Sequence, residues 1–232
     1  MLPVTVAMHI PDGFLSADVA VALGIVALIV VAHALRVADR DLDEARVPLL
    51  GVLAAFVFAA QMLNFPVAGG TSGHFLGATL AAVLLGPWVA CLVMAVVIST
   101  QALAFADGGV SALGANIVNM GVIGALFAGF AIAAGVRVLP ATRGALLGLV
   151  AVVSWLAVML GAAATSVELA VSGTVPLGTV LPAMLGVHAL IGVGEAAIGV
   201  AAISAVLSTR PDLIAVRRFD AHVQGAPAGA AS

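Results

Sequence analysis

Residues 8–35 read MHIPDGFLSADVAVALGIVALIVVAHAL, a short turn followed by the first long apolar run of the chain. The Pro-Asp-Gly triplet at 11–13 is typical of a tight turn, because proline fixes φ, aspartate bonds nearby backbone and glycine tolerates the conformation that follows. Ser16 suits the N-cap of a helix. We therefore expect His9 to be held in a short, positioned segment directly ahead of a helix over 17–35.

The composition is that of an integral membrane protein. Of 232 residues, 63% are hydrophobic and 8% are charged, with a mean hydropathy of +1.27, whereas a soluble domain carries about 25% charged residues. The 26 glycines favour helices that pack closely in lipid, and the period-2 alternation of a membrane β-barrel is absent. The net charge of −3 gives no indication of a nucleic-acid partner. We expect an all-α, multi-pass protein in the bilayer of the cell membrane.

Seven apolar runs are each near the ~20 residues that a helix needs to cross the hydrocarbon layer. They cover residues 17–35, 47–65, 67–86, 87–104, 115–135, 144–171 and 178–207. The third and fourth runs meet at Gly86-Pro87, which we interpret as a tight turn between two helices. The sequence thus predicts seven transmembrane helices.

The basic residues predict the orientation of these helices. All eight are Arg, in three places: Arg36, Arg40 and Arg46; Arg137 and Arg143; Arg210, Arg217 and Arg218. Because Arg-bearing loops stay in the cytoplasm, the N-terminus is expected outside and the C-terminus inside. The loops near 64–74, 105–113 and 172–178 contain no Arg and are expected on the outer side.

The chain divides into one membrane domain and two short ends. Residues 1–7 lack the charged start and the length of a secretory signal, which needs at least about 15 residues, and we interpret them as an upstream extension. Residues 8–208 are expected to form a single transmembrane domain. Residues 209–232, rich in Ala and Gly after the last apolar run, are expected to form an unstructured cytoplasmic tail.

Two histidines, His9 and His74, fall beside Gly-rich outer loops, at 64–74 and 105–116. Glycine-rich backbone at membrane depth is tolerated only where protein or a watery cavity satisfies it, so these loops indicate a lining. Imidazole suits Ni²⁺, Co²⁺, Cu²⁺ and Zn²⁺. From the residues alone, a shared metal site and two separate loop hydrogen bonds both remain open.

Three ordered segments resemble the signature segments of the CbiM/NikM family. They are Met8–Ser16 (MHIPDGFLS), Gly69–His74 (GGTSGH) and Phe105–Asn116 (FADGGVSALGAN), and the similarity extends from residue 8 to about 207. The family is the substrate-capturing component of energy-coupling-factor transporters for cobalt and nickel. The Pro-Asp-Gly form at 11–13 is more similar to the nickel branch, so the resemblance implies Ni²⁺ first and Co²⁺ second.

The resemblance also implies a ligand set of four nitrogens. They are the amino-terminal nitrogen of Met8, the backbone and imidazole nitrogens of His9 and the imidazole of His74. Four nitrogens in a plane suit Ni²⁺. An amine ligand requires Met8 to be the first residue of the mature chain. Translation begins at Met8, or residues 1–7 are removed, or this member cannot build the four-nitrogen site; of the three, we expect translation from Met8.

Energy for transport is expected to come from other subunits. The chain contains no Gly-x-x-x-x-Gly-Lys-[Ser/Thr] motif, which nucleotide-hydrolysing proteins of the P-loop class use to bind phosphate. The resemblance implies two ATP-hydrolysing subunits, a transmembrane coupling subunit and, as an optional member, a small membrane subunit. We expect no catalytic residue and no cofactor in this chain, whose metal is cargo.

The other polar residues are assigned supporting roles. Amides within the apolar runs are expected to bond across helices: Gln61, Asn64, Gln101, Asn116 and Asn119. His188 and Glu195 lie seven apart on one helix face, for which we expect a packing or conformational role rather than metal contact. Glu168 is expected to reach water, and His33 and His222 are expected to lie away from the site.

Two other functions fit parts of the sequence. A stand-alone ion-coupled metal carrier needs ionisable residues that relay protons or ions through the membrane. His188 and Glu195 are the candidates for this role. Residues 70–73, Gly-Thr-Ser-Gly, match the nucleophile motif of rhomboid-type intramembrane proteases, with Ser72 as nucleophile and His188 as base. That four-residue match arises easily by chance in a Gly-rich chain.

Overall fold

The computed structural model describes residues 9–42, 44–62, 64–67 and 71–215, which fold mainly into helices. These are α1 (Ala17–Asp41), α2 (Val47–Gln61), α3 (Ala78–Leu85), α4 (Pro87–Phe105), α5 (Leu113–Ile117), α6 (Phe127–Val138), α7 (Arg143–Val171) and α8 (Leu177–Thr209). A π-helical stretch, Val118–Leu126, joins α5 to α6. Short 3₁₀ turns lie at Glu44–Arg46 and Pro211–Leu213, and strands β1 (Asn64–Val67) and β2 (Thr71–His74) pair as an antiparallel hairpin.

The helices confirm a multi-pass membrane protein. Within the described ranges, five are long and apolar enough to span a bilayer: Ala17–Arg40, Pro87–Phe105, Leu113–Val138, Arg143–Val171 and Leu177–Thr209. The apolar helix α2 is shorter, with 15 residues. The count of seven crossings and the orientation of the termini stay predictions.

The predicted span at 67–86 is wrong as a single helix. Within it, Val67 belongs to β1, residues 71–74 form β2, and only the eight residues of α3 are helical among those that the structure describes. Eight residues cover about 12 Å, less than half of the hydrocarbon layer. The glycines of this run weaken a helix. The non-helical residues Phe75 and Leu76 are buried, so the backbone here is shielded from lipid.

The Gly86-Pro87 turn lies where the sequence predicts it. Gly86 has φ +81°, a left-handed conformation that favours glycine, and Pro87 opens α4. The turn is wedged between neighbouring helices: the Trp88 ring lies 4.6 Å from that of His33 on α1. A Cβ on Gly129 of α6 would lie 2.6 Å from the Cβ of Pro87.

The chain beyond α8 packs back on α3. Ala215 donates its N–H to the carbonyl of Val83 (3.0 Å), and Ile214 is buried. The tail was predicted to begin at residue 209, whereas residues 210–215 form a turn and a packed segment in the structure. Residues 216–232, including His222, lie outside the described residues.

A pocket lies where several helix ends and loops meet. α7 packs along α8, and α1 packs on α4 and α5. Residues 9–16, the hairpin and the 106–112 loop meet beside α7 and α8. Arg40, Arg137 and Arg143 lie in the turns at the other ends of their helices, as the positive-inside prediction assumes.

Candidate metal-binding site

His9 and His74, 65 positions apart in the sequence, meet in the folded chain. Their ring centroids are 4.9 Å apart, and the ring planes are inclined by 53°. His9 precedes the turn before α1, and His74 ends strand β2, where Asn64 lies opposite it in register. Two segments that are separate in the sequence therefore bring their imidazoles to one place.

The His9 side chain is buried without a hydrogen-bond partner. The residue is 5% exposed, and neither ring nitrogen is hydrogen-bonded to any group that the structure describes. A carboxylate oxygen of Asp107 lies 3.6 Å from Nδ1. Because buried polar groups are normally satisfied, an imidazole held beside a carboxylate in this way suits a cation as its missing partner.

The His74 imidazole is set up as a ligand through Nε2. Its Nδ1 lies 2.7 Å from the carbonyl oxygen of Phe75, so Nδ1 carries the proton and donates, and Nε2 keeps its lone pair. Burial, followed by the neighbouring His9 ring, lowers the pKa of His74 to about 3. The ring is therefore neutral at physiological pH, which is the form that binds metal ions.

Asn116 fixes the backbone next to His9. Its Oδ1 accepts the N–H of Ile10 (3.0 Å), and its Nδ2 donates to the carbonyl of Ile10 (3.2 Å). The N–H of Gly109 donates to the same carbonyl (2.9 Å). The amide predicted to bond between helices thus bonds instead to the main chain of the site.

The segment after Ile10 is fastened at two further points. Asp12 accepts two hydrogen bonds from Ser111, from the N–H (2.7 Å) and from the hydroxyl (2.5 Å). These bonds lower the pKa of the Asp12 carboxyl. The hydroxyl of Thr174 donates to the carbonyl of Phe14. Residues 9–14 are therefore tied to the 106–112 loop and to the α7–α8 loop.

Gly108 gives His9 the space it occupies. Its φ of +93° lies in the region that favours glycine, and a Cβ there would lie 2.8 Å from the Cβ of His9. α4 ends just before, at Ala106, with a left-handed φ of +53°. This reversal of the chain is what carries Asp107 and Gly108 back over His9.

The hairpin carrying His74 is held from behind by buried polar groups. Glu195 of α8 accepts the N–H groups of Leu76 (2.7 Å) and Gly77 (2.8 Å). Gln61 of α2 donates to the carbonyl of Leu76 (2.9 Å). Both side chains thus bond to main-chain groups just before α3, whereas the sequence predicted a packing or conformational role for Glu195 and a bond between helices for Gln61.

A cavity of about 90 Å³ adjoins the two imidazoles. One water needs about 10–15 Å³, so several waters or a partly hydrated ion fit. Polar and thioether side chains contribute to the lining, which includes Asn116, Asn119, Thr165, His188, Met120 and Met184. His188 donates through Nδ1 to the carbonyl of Met184 (2.7 Å), which leaves its Nε2 lone pair free of that bond.

The cavity extends along α8, well past the first residue of that helix. His188 comes 11 residues after Leu177, the first residue of that helix, which is about 16 Å along the axis at 1.5 Å per residue. Beside the cavity, Asn119 donates to Glu168 (2.8 Å). Glu168 was predicted to reach water, and that is wrong: it is buried, because Asn119 offers it a partner inside the bundle.

The side chains alone do not complete a metal site. Over the described ranges no group of three or more His, Cys, Asp and Glu converges on a point that could hold an ion. Two imidazoles therefore need ligands of another kind, such as main-chain or N-terminal nitrogens. Met8 lies outside the described residues, as does the side chain of Ser72. The His33 ring meets the Trp88 ring edge to face and does not line the pocket.

Two contributors were not predicted from the sequence. Asp107 and Asn116 belong to the third quoted segment, yet neither had been given a role at the His9 site. Their spacing of nine residues does not predict that they are close in space, because they meet His9 only through the loop that reverses the chain after α4. The signal that could have found them is their place in a segment that resembles a family signature.

The sequence profile of the family described as "Cobalt uptake substrate-specific transmembrane region" (CbiM) matches residues 9–213. This chain belongs to the CbiM family. The match covers nearly all of the described fold, from His9 to the 3₁₀ turn after α8. The family is described by cobalt uptake across membranes, which gives no support to a protease interpretation of the four-residue match around Ser72.

Relatives in bacteria and archaea carry the same region. The "Fused nickel transport protein NikMN" of Rhodobacter capsulatus is 35% identical over 235 residues, which cover 92% of this chain and 66% of that protein. The "Putative fused nickel transport protein NikMN" of Archaeoglobus fulgidus is 38% identical over 210 residues, which cover 89% of this chain and 68% of that protein. This chain thus spans about two thirds of these two fused CbiM relatives.

Solved structures share the fold. A chain in a crystal structure of a transition metal transporter superposes with a TM-score of 0.77 and 29% identity, covering 94% of this chain and all of that one (100%). A truncated transition metal transporter gives a TM-score of 0.76 and 31% identity over 87% of this chain and 99% of that one. The CbiM fold described above is therefore that of metal transporters.

Proposed function

We propose that this protein captures Ni²⁺, and secondarily Co²⁺, as the substrate-binding membrane component of an ATP-driven importer. The observation that carries the proposal is the meeting of His9 and His74, 4.9 Å apart between ring centroids, with both ring nitrogens of His9 buried and unbonded. Membership in a family of cobalt uptake and relatives named for nickel transport support the choice of cargo.

The proposed ligands are four nitrogens. The imidazoles of His9 and His74 supply two, the main-chain nitrogen of His9 a third and the amino group of Met8 the fourth. A planar set of nitrogens suits Ni²⁺, and the lack of a third convergent side-chain ligand among the described residues favours backbone and terminal donors. Asp107 adds a negative charge close to His9.

Transport energy would come from partner subunits. The chain has no P-loop motif for nucleotide phosphates. The resemblance to the CbiM/NikM family implies two ATP-hydrolysing subunits and a transmembrane coupling subunit, with a small membrane subunit as an optional member, and these are the proposed partners. Nickel uptake in cells that lack the ATPase subunits tests this arrangement. Uptake that persists without them would favour a stand-alone carrier.

The ligand proposal is tested by removing one imidazole at a time. His9→Ala and His74→Ala are each expected to abolish nickel accumulation in cells while the protein still inserts in the membrane. His33→Ala is the matched control, because it removes an imidazole that contacts the Trp88 ring edge to face, outside the pocket. Normal accumulation in either pocket variant would rule out the ligand set.

The role of the amino terminus needs a separate test. A chain that begins at Met8 is expected to bind nickel, whereas a chain that retains residues 1–7 and is shown intact by mass spectrometry is expected to bind it far more weakly. The reason is that residues 1–7 convert the amine of Met8 into a second peptide nitrogen, which must lose its proton before it binds a metal ion, at a far greater cost than a free amine. Equal nickel binding by both forms would exclude the amine.

A further inference from the structure

Helix α8 contacts the chain around His74 at three positions on one of its faces. A Cβ on Gly73 would lie 2.3 Å from Cδ1 of Ile191 and 3.2 Å from the ring of His188. Glu195 accepts the N–H groups of Leu76 and Gly77. The spacing of 188, 191 and 195 places all three on one side of a helix, so a single helix face supports residues 73–77.

Glu195 makes the polar part of this contact with both carboxylate oxygens. Oε2 accepts from Leu76 at 2.7 Å and Oε1 from Gly77 at 2.8 Å, and the residue is 3% exposed. Gly77 is the N-cap of α3, where N–H groups lack helical partners and negative charge is favoured. The short distances are those of charge-assisted hydrogen bonds.

The opposite side of the same peptide is held by α2. Gln61 is fully buried and donates to the carbonyl of Leu76 at 2.9 Å. Leu76 therefore has both its N–H and its carbonyl fixed by side chains from two different helices. His74 lies only two residues earlier, and its own Nδ1 is bonded to the carbonyl of the intervening Phe75.

From this geometry we infer that Glu195 is a positioning residue for metal capture: by binding the backbone of Leu76 and Gly77, it sets where the His74 imidazole stands relative to His9. The inference rests on the proposed function. Glu195 does not touch the ion; it acts through two peptide N–H groups. A ligand's supporting partners commonly change metal affinity about 10–100-fold when they are lost.

The test measures nickel binding by the purified full-length protein in detergent, in the N-terminal form that binds nickel. Glu195→Gln keeps the size of the side chain, but its amide must turn an N–H₂ group toward one of the two donors. We expect nickel chloride to bind about 10–100-fold more weakly, with a shifted visible absorption band of the bound Ni²⁺. Gln101→Leu is the control, since Gln101 is a buried amide on α4 that neither lines the cavity nor bonds to this backbone; its nickel affinity and spectrum are expected to stay unchanged.

The absorption band separates positioning from general stability, because it reports only on folded protein that holds the metal. Unchanged affinity and spectrum in Glu195→Gln, together with lost binding in His74→Ala, would overturn the inference and leave the proposed function standing. Wild-type protein that fails to bind nickel in either N-terminal form would overturn the proposed function instead.

If Glu195→Gln does not fold, a second variant tests whether the backbone of Leu76 and Gly77 positions His74. Gln61→Leu removes the third bond to the same peptide and leaves both Glu195 bonds in place. We expect a several-fold loss of nickel affinity with the same direction of spectral shift. Wild-type affinity and spectrum in this variant would then overturn the inference.

Discussion

The side chain of Asn116 pairs with the main chain of Ile10 as a neighbouring β-strand would, accepting its N–H at 3.0 Å and donating to its carbonyl at 3.2 Å. The two residues are 106 positions apart. Because Ile10 follows His9 directly, its two hydrogen bonds to Asn116 fix the position and direction of the His9 backbone at the pocket. The main-chain nitrogen of His9, a proposed ligand, belongs to the same short segment.

Replacing Asn116 by Leu is expected to weaken nickel binding about tenfold or more, as for other partners that orient a metal ligand. The substitution preserves volume but removes both bonds and leaves the buried N–H of Ile10 without its partner. Isothermal titration with nickel chloride measures the change. Gln101→Met is the control, because Gln101 is a buried amide on α4 whose side chain has no hydrogen bond to the described residues. Equal affinities in the two variants would contradict this role for Asn116.

Replacing Gly108 by Ala is expected to abolish nickel binding. The new Cβ would lie 2.8 Å from the Cβ of His9, so the histidine must move. Gly173→Ala separates this clash from backbone strain, since Gly173 also has a positive φ (+74°) but has no atom within 4 Å of its Cβ position. The control is expected to lose about 1 kcal/mol of folding stability and to keep its nickel affinity. Thermal unfolding and nickel titration of both variants check the pair.

Replacing Gly73 by Ala is expected to impair nickel binding through a clash with α8. Its Cβ would lie 2.3 Å from Cδ1 of Ile191, which pushes the hairpin away from the helix and displaces His74. Ile191→Ala removes that atom, so the double variant is expected to recover most of the lost affinity. Ile191→Ala alone serves as the reference for the cavity it creates. A double variant no better than Gly73→Ala would show that the contact does not position the hairpin.

The bond between Asp12 and Ser111 is expected to stabilise the fold over the whole physiological pH range. The Ser111 hydroxyl and N–H lower the pKa of Asp12, so the folded state holds the ionised form more strongly than the unfolded chain does. This contribution is present above the ordinary carboxyl pKa and is lost as pH falls through the lower folded value. The difference in Tm between wild type and Asp12→Ala is therefore expected to be constant from pH 8 to about 5 and to shrink below about pH 4. A difference that vanishes between pH 8 and 6 would contradict this assignment.

Several features could be predicted from single stretches of sequence. Apolar runs of helical length predict the long spans, because lipid forces each segment to satisfy its own backbone. Gly86-Pro87 predicts the turn between α3 and α4, since the required φ values are local properties of these two residues. His9 and His74 could be singled out because imidazoles beside Gly-rich loops are uncommon in an apolar chain.

Other features depend on partners far away in the sequence. The run 67–86 is apolar enough for a helix, yet Glu195 and Gln61 hold the backbone of Leu76, and the preceding residues pair as a hairpin. No local pattern around residue 76 contains these partners. Glu168 likewise could not be assigned to the interior before Asn119 was placed next to it.

The sequence by itself determined that the chain lies in a membrane and which stretches form its long helices, and it singled out His9 and His74 as candidate ligands. These properties follow from hydrophobicity and from φ preferences, which act over a few residues. Only the tertiary structure decided that His9 and His74 share one pocket, that Asn116 and Glu195 hold the backbone beside them, and that a third side-chain ligand does not converge there within the described residues. Those outcomes depend on hydrogen bonds between segments about 100 residues apart or more, and such bonds exist only once the helices have packed.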